Sequence, residues 1–226
     1  MTRLAQYRTT SDLPAELPVF PLRGTILLPR ATLPLNVFEP RYLAMLDHVI
    51  SGSRVLGIIQ PRATDQAEES PQDESTPLKS VGCAGRVTSY QELDDGRLVI
   101  SISGVARFRT TTETTAITPF RLFAADYSDF AQDLQPLDED DGVDRPKFLE
   151  VLRNYLDAKQ LNADWQAIEK APTELLINSL SVISPFGPEE KQALLEARDL
   201  KQRAEVLATL AMMDLASDDR AGGGVQ

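Results

Sequence analysis

Cysteine, histidine and tryptophan each occur once in the 226 residues, and aromatics make up only 6% of the chain. The single cysteine, Cys83, excludes an internal disulfide, and a lone thiol fits a reducing compartment. With one histidine, His48, a metal site or a nucleophile–base pair built on imidazoles lacks its further members. No glycine is followed by lysine, which excludes the phosphate-cradling loop of P-loop nucleotide hydrolases, and no G-x-S-x-G elbow occurs. No run approaches the roughly 18 to 20 apolar residues that span a bilayer, and the opening MTRLAQYRTTSDLP lacks the apolar core of a signal peptide. These gaps predict a cytoplasmic protein with no membrane contact, no metal, no cofactor and no catalytic residue.

What is present is a core: 42% of the residues are apolar, enough for one large domain or two small ones without metals or disulfides. The formal charge of −11 is unevenly spread. Residues 63–78 carry five acids and residues 126–144 carry eight, with no Lys or Arg in either stretch; together they hold −13, which leaves +2 for the remainder. A nearly neutral body between acidic loops has no broad basic footprint for nucleic acid. The acidic runs read as solvated linkers.

Residues 17–127 show the pattern of short strands. Leu17-Pro18-Val19-Phe20-Pro21-Leu22 must be extended, and its two prolines predict an edge strand. Ile26-Leu27-Leu28 and Leu33-Pro34-Leu35 follow as short apolar runs. Pro40 suits the first position of a helix whose inner side is expected at Leu43, Leu46 and Ile50, flanked by Tyr42 and Val49, and Gly52 ends it. Residues 55–59 read as a buried strand, and the polar run 63–76 has the composition of a disordered loop. Val81, Cys83, Gly85 and Val87 fall on one strand face. Asp94-Asp95-Gly96 predicts a hairpin turn into a strand where Leu98, Ile100 and Ile102 alternate with Val99, Ser101 and Ser103, and Gly104 is expected to start the next turn.

Beyond the second acidic run the period becomes helical. Phe148, Leu149, Leu152, Tyr155 and Leu156 form one stripe, Trp165 and Ile168 begin another, and a third helix opens at Pro172 or Thr173. Gly187 before Pro188-Glu189-Glu190 is a helix start, and Asp199 with Gln202 resembles a capping box for the last helix. The expected organisation is a flexible N-terminus over residues 1–16, a β subdomain over 17–128, an acidic linker over 129–144, a helical bundle over 145–216 and a flexible tail over 217–226.

Candidate chemistry is sparse. His48 lies opposite Leu43, Leu46 and Ile50, so it is expected on the surface, and Cys83 is expected as a buried structural thiol. Acidic pairs such as Asp140-Asp141 fall in loops, without the rigid separation that paired-carboxylate catalysis needs. The six lysines have no partnered serine that marks one as a base, and Trp165 reads as a core or rim residue. Most informative is LPVFPLRGTILLPRATLPLNVFEPRYLAMLDHVISGSRVLGIIQP, residues 17–61. Its plain reading is structural, with Glu39 and Arg41 flanking Pro40 at a helix start, where Arg41 or Arg23 can pair with the carboxylate. The alternative is a binding surface.

In this segment the chain resembles the N-terminal, substrate-binding domain family of Lon proteases. Leu17-Pro18-Val19-Phe20-Pro21-Leu22-Arg23, then Leu33-Pro34-Leu35, the helix and the strand at 55–61, follow the family's order, and Asp95-Gly96-Arg97, Gly104 and Arg107-Phe108 are similar to its later hairpin. Phe38-Glu39-Pro40-Arg41-Tyr42, Ala163-Asp164-Trp165 and residues 185–197 look like a bacterial stand-alone branch. The resemblance implies an α+β fold: a PUA-like β-barrel with one or more short helices, then a C-terminal helical bundle. It implies a non-catalytic module that binds unfolded or client proteins, or an ATP-dependent partner protease, without ATPase or Ser–Lys peptidase activity; a peptidase name on such a chain would be inherited from the family. Phe20, Pro21, Leu22, Arg23, Pro34, Leu35, Phe38, Glu39, Pro40, Arg41 and Tyr42 are the candidate family-motif residues, structural or protein-binding. A different reading, RNA binding through the PUA-like barrel, draws on seven arginines against four acids in residues 1–62. Without interleaved aromatics nucleic acid is not the expected partner.

Overall fold

The computed structural model describes residues 7–62, 76–136 and 142–222, the last six of these by backbone alone. The acidic stretch 63–75 and residues 137–141, expected as loop and linker, lie outside the described residues. Contacts divide the chain into two compact units, Met1–Pro136 and Leu137–Gln226.

The first unit is a six-stranded sheet with one α-helix. Its elements are β1 (Glu16–Pro21), β2 (Thr32–Val37), α1 (Pro40–Ser51), β3 (Val55–Pro61), β4 (Leu78–Glu92), β5 (Leu98–Thr114) and β6 (Leu122–Asp126). The strand order is β2-β5-β4-β3-β1-β6, and β5 also pairs with β6. The expected PUA-like β-barrel is met only in part, by a six-stranded sheet that is not a clean barrel: β2 lies outside the ring of pairings, and register shifts break β3–β4, β4–β5 and β5–β6.

β1 is not an edge strand, because its two halves have different partners. Glu16, Leu17 and Pro18 pair antiparallel with β6, whereas Val19, Phe20 and Pro21 pair parallel with β3. Each proline thus sits where only one side of the strand needs a ladder. Pro34 does lie on an edge, since β2 pairs only with β5 among the described residues.

Ile26-Leu27-Leu28 form no strand; they are a buried loop seated on β5 at Gly104. Arg30 donates its backbone N–H to the Gly104 carbonyl at 3.0 Å, and Gly104 donates to the Ala31 carbonyl at 2.9 Å. A Cβ at Gly104 would lie 2.0 Å from the Leu28 oxygen, so this glycine permits a close backbone approach and β5 runs straight through it instead of turning. The turn at 93–97 forms as expected, with Gly96 at φ 80°. Alternation is visible on β5 at Ile100 and Ile102, but β4 is buried on both faces from Val81 to Val87, so no single inner face exists there. The Phe108 ring fills the space beside Gly57 and Gly82 in a core with Leu17, Val19 and Ile59. Cys83 is buried opposite Ile58.

The acidic run is more than a linker at its start. Residues 128–134 form 3₁₀ turns that bury Phe130, and Asp133 is 2.9 Å from the buried Arg107 guanidinium while also accepting the Arg107 backbone N–H. From Tyr7 onward the expected flexible N-terminus is packed too: Tyr7 and Leu13 are buried, and the Tyr7 hydroxyl accepts from Arg86 at 2.8 Å.

The second unit holds α2 (Arg145–Ala158), α3 (Trp165–Lys170), α4 (Thr173–Ile183), α5 (Pro188–Glu196) and α6 (Leu200–Gly222). Their starts follow local chemistry. Asp144 caps α2 through the Lys147 N–H and Asp164 caps α3 through the Ala167 N–H. Pro188 opens α5 after Gly187, and Asp199 accepts from the Gln202 N–H at 2.8 Å. Gln202 reaches back to the N–H of Arg198, one residue before the box position. α2, α4 and α5 all pack on α6, burying Phe148, Leu152, Ile177, Leu194, Leu195 and Leu207.

Candidate functional site

Of the eleven motif residues, four form one contiguous group at the start of α1. The Phe20 ring stacks on Tyr42 with centroids 4.1 Å apart, and the Arg41 guanidinium lies 4.7 Å from the Tyr42 ring centre. Arg41, rather than Arg23, pairs with Glu39 at 3.1 Å. Burial pushes the Tyr42 hydroxyl above its ordinary pKa, against a smaller opposing effect of Arg41. This stacking also sets the helix face: Tyr42, Met45, Leu46 and Val49 point inward, while Leu43 and Ile50 are half-buried, a rotation from the expected stripe.

The remaining seven are not drawn into that group by any hydrogen bond, ion pair or ring contact. Pro21, Leu22 and Leu35 are half-buried, Arg23, Pro34 and Pro40 are exposed, and Phe38 is 64% exposed. The Glu39–Arg41 pair is self-compensated, and His48 is exposed, with its ring 5.5 Å from Phe120. Among the described residues no cluster of three or more His, Cys, Asp or Glu could hold a metal ion.

A different surface emerges in the helical unit. Two adjoining cavities, about 410 Å³ and 160 Å³, share Phe148, Val151 and Ala208 along α2 and α6. The larger is bordered by Lys147, Lys201, Glu205 and Met212, and the smaller is walled by Leu156, Leu161, Leu180, Ile183 and Phe186. Ile183 is 72% exposed at this wall, and Leu161 and Met212 are also exposed. An apolar groove with charges only at its border suits a flexible apolar segment. The wall is fixed from behind by Lys191, whose buried amine donates to the Ser181 carbonyl at 3.0 Å and to the Val182 carbonyl. Burial lowers the pKa of that amine to about 8.

Sequence reasoning runs the third helix, opened at Pro172 or Thr173, through Leu175, Leu176, Leu180 and Ile183, and does not single out Val151, Leu161 or Phe186. The available signal is an excess of apolar residues over what one helix face can bury: on α4, Leu176, Ile177 and Val182 are buried while Leu175 and Ile183 remain exposed.

The matches with known proteins extend over both units. The family model of the ATP-dependent protease La (LON) substrate-binding domain matches residues 16–211. The Lon protease of Dictyoglomus thermophilum is 25% identical over 210 residues, covering 87% of this chain and 24% of that protein. The Lon protease of Flavobacterium johnsoniae is 24% identical, covering 90% and 24%. The chain thus spans about a quarter of the length of these relatives. Among solved structures, the Lon N-terminal domain protein from Xanthomonas campestris superposes with a TM-score of 0.60 at 22% identity, over 87% of this chain and 98% of that one. The N-terminal domain of Mycobacterium avium complex Lon protease gives 0.62 at 18% identity, over 90% and 98%.

Proposed function

Because the chain belongs to the ATP-dependent protease La (LON) substrate-binding domain family, we propose that it is a non-catalytic module that binds exposed apolar segments of non-native client proteins. The groove along α2 and α6 carries this reading, since it leaves Ile183, Leu161 and Met212 accessible beside an apolar floor. Client capture would serve an ATP-dependent protease, with ATP hydrolysis and peptide cleavage supplied by that enzyme's own domains. The compartment is the cytoplasm. Among the described residues no helix is long and apolar enough to cross a membrane.

RNA binding stands second. Of the arginines in residues 1–62 Arg41 is committed to a carboxylate, Glu39, and farther along the sheet unit Arg97, Arg107, Arg109 and Arg121 are each paired with an acid, so the cations they carry are locally neutralised.

The test is fluorescence anisotropy with reduced, carboxymethylated lactalbumin as a permanently unfolded probe. Binding that falls about tenfold in Ile183→Asp, equivalent to about 1.4 kcal/mol, is the expected result. Unchanged binding in that variant, with its thermal transition intact, would remove the groove from the proposal.

A further inference from the structure

The sheet unit carries an unpaired strand edge beside an uncommitted cation. β4 pairs with β3 as far as Arg86 opposite Val55, where β3 begins. Beyond that point residues 88–92 pair only with β5 among the described residues, and all five are exposed. Natural sheets protect such edges with lysine, proline or short length. Here the five-residue edge reads Thr88, Ser89, Tyr90, Gln91, Glu92, with a bulge at its start and an acid at its end but no lysine or proline along it.

At the end of this edge lies a cleft of about 220 Å³ lined by Ile50, Arg54, Val87, Thr88, Ser89 and Tyr90. Arg54 adopts φ 61°, in the left-handed region that favours glycine. Its backbone has clear duties: its N–H donates to the Val49 carbonyl and its carbonyl accepts from Val87. Neither duty needs an arginine side chain. Arg54 is half-buried as a residue, and its guanidinium makes no hydrogen bond or ion pair within the described residues. A strained position that holds a long cation without an internal partner points to an anion from outside.

The direction of the edge identifies the anion. A segment added to β4 at 88–92 continues the line of β3, so it must stop or turn away where residue 54 blocks its path. A strand that ends there, running antiparallel to β4, places its terminal carboxylate against Arg54. We infer that the free edge of β4 takes the C-terminal segment of an extended polypeptide as an added antiparallel strand, with its terminal carboxylate held by Arg54. This site lies in a different unit from the apolar groove and does not rest on it.

The test uses the full chain and a fluorescein-labelled octapeptide of alternating threonine and valine, as free acid, as C-terminal amide and with alternate backbone nitrogens methylated. The free acid is expected to bind and to slow amide exchange at residues 88–92. Amidation and Arg54→Gly should each weaken binding at least tenfold, and N-methylation should abolish it. Arg54→Gly suits this purpose because glycine adopts φ 61° without strain, so loss of binding cannot be assigned to misfolding. Equal affinity for the amide, full affinity in Arg54→Gly, no binding of the free acid, or no protection at 88–92 would overturn the inference. A dimer paired through β4 that the free acid fails to dissociate would also overturn it, assigning the edge to a second copy. Ile183→Asp is expected to leave peptide binding intact, which keeps a failure of this site separate from a failure of the groove.

Discussion

In the sheet unit β3 is buried along its entire length and Phe108 is fully enclosed; in the helical unit Ile183 stands 72% exposed beside a groove that no side chain of its own unit fills. The contrast follows from how each unit collects its apolar surface. Strands paired on both sides and covered on both faces share their side chains among distant segments, and the large apolar residues left exposed in that unit, Phe38, Tyr90, Val99 and Ile117, lie outside the doubly covered stretch. Short helices packed around α6 each offer one stripe, and where the stripes exceed the area α6 can cover, apolar surface stays open. Away from the free edge of β4, the sheet unit thus reads as scaffold, and the helical unit as the more adaptable apolar surface.

The sharpest way to break the scaffold is Gly104→Val. Added atoms would begin 2.0 Å from the Leu28 oxygen, forcing the buried loop off β5, and a loss of about 4 kcal/mol is expected in denaturant unfolding. Next is Asp133→Asn, which leaves the buried Arg107 guanidinium with a neutral partner and should cost about 3 kcal/mol. Replacing both partners at once, Arg107→Met together with Asp133→Leu, should recover part of that loss, because the dominant penalty is an uncompensated buried charge rather than a missing attraction. If Asp133→Asn unfolds like the parent, the 3₁₀ segment at 128–134 is not part of the scaffold.

These two positions also mark the limits of reading the sequence. Features set by neighbours in the chain are legible: the turn at Gly96, the proline start of α5 and the Asp199 cap of α6 all form where expected. Features set by distant partners are not. Gly104 reads as a turn because the Leu28 carbonyl it packs against lies 76 positions away, and the prolines of β1 imply an edge because nothing local shows that its halves pair with different strands. Asp133 reads as one more solvated acid because Arg107 approaches it only through the fold. For the candidate site, the Phe20–Tyr42 contact and the Glu39–Arg41 pair lie within the segment singled out, whereas the groove does not. Helical periodicity shows that a stripe is apolar and leaves open whether anything covers it.

The helical unit offers a pH-dependent counterpart. Lys191 is almost fully buried, and desolvation alone lowers its pKa from 10.5 to about 8. Below pH 8 the amine is charged in both the folded and unfolded states, and the folded state bears the burial penalty. Between pH 8 and 10.5 the folded amine has released its proton while the unfolded one keeps it, so unfolding stability should rise with pH across that window. The steepest slope is about 1.4 kcal/mol per pH unit. Denaturant titrations at pH 7, 8, 9 and 10 check the slope, and Lys191→Met should flatten it; a parent curve already flat would mean that the amine stays solvated.

The smallest effect is the most discriminating for function. Phe38 is 64% exposed and directly precedes Glu39, the residue at the start of α1. Phe38→Ser should therefore change stability by less than about 0.5 kcal/mol. Its effect on the unfolded-lactalbumin assay decides between two divisions of labour. If the α1 motif only braces the sheet through Phe20, Tyr42 and the Glu39–Arg41 pair, client affinity in Phe38→Ser should match the parent while Ile183→Asp loses it. A comparable loss in Phe38→Ser would place client contact on the sheet unit as well. The contrast between scaffold and adaptable surface would then fail at its most exposed aromatic residue.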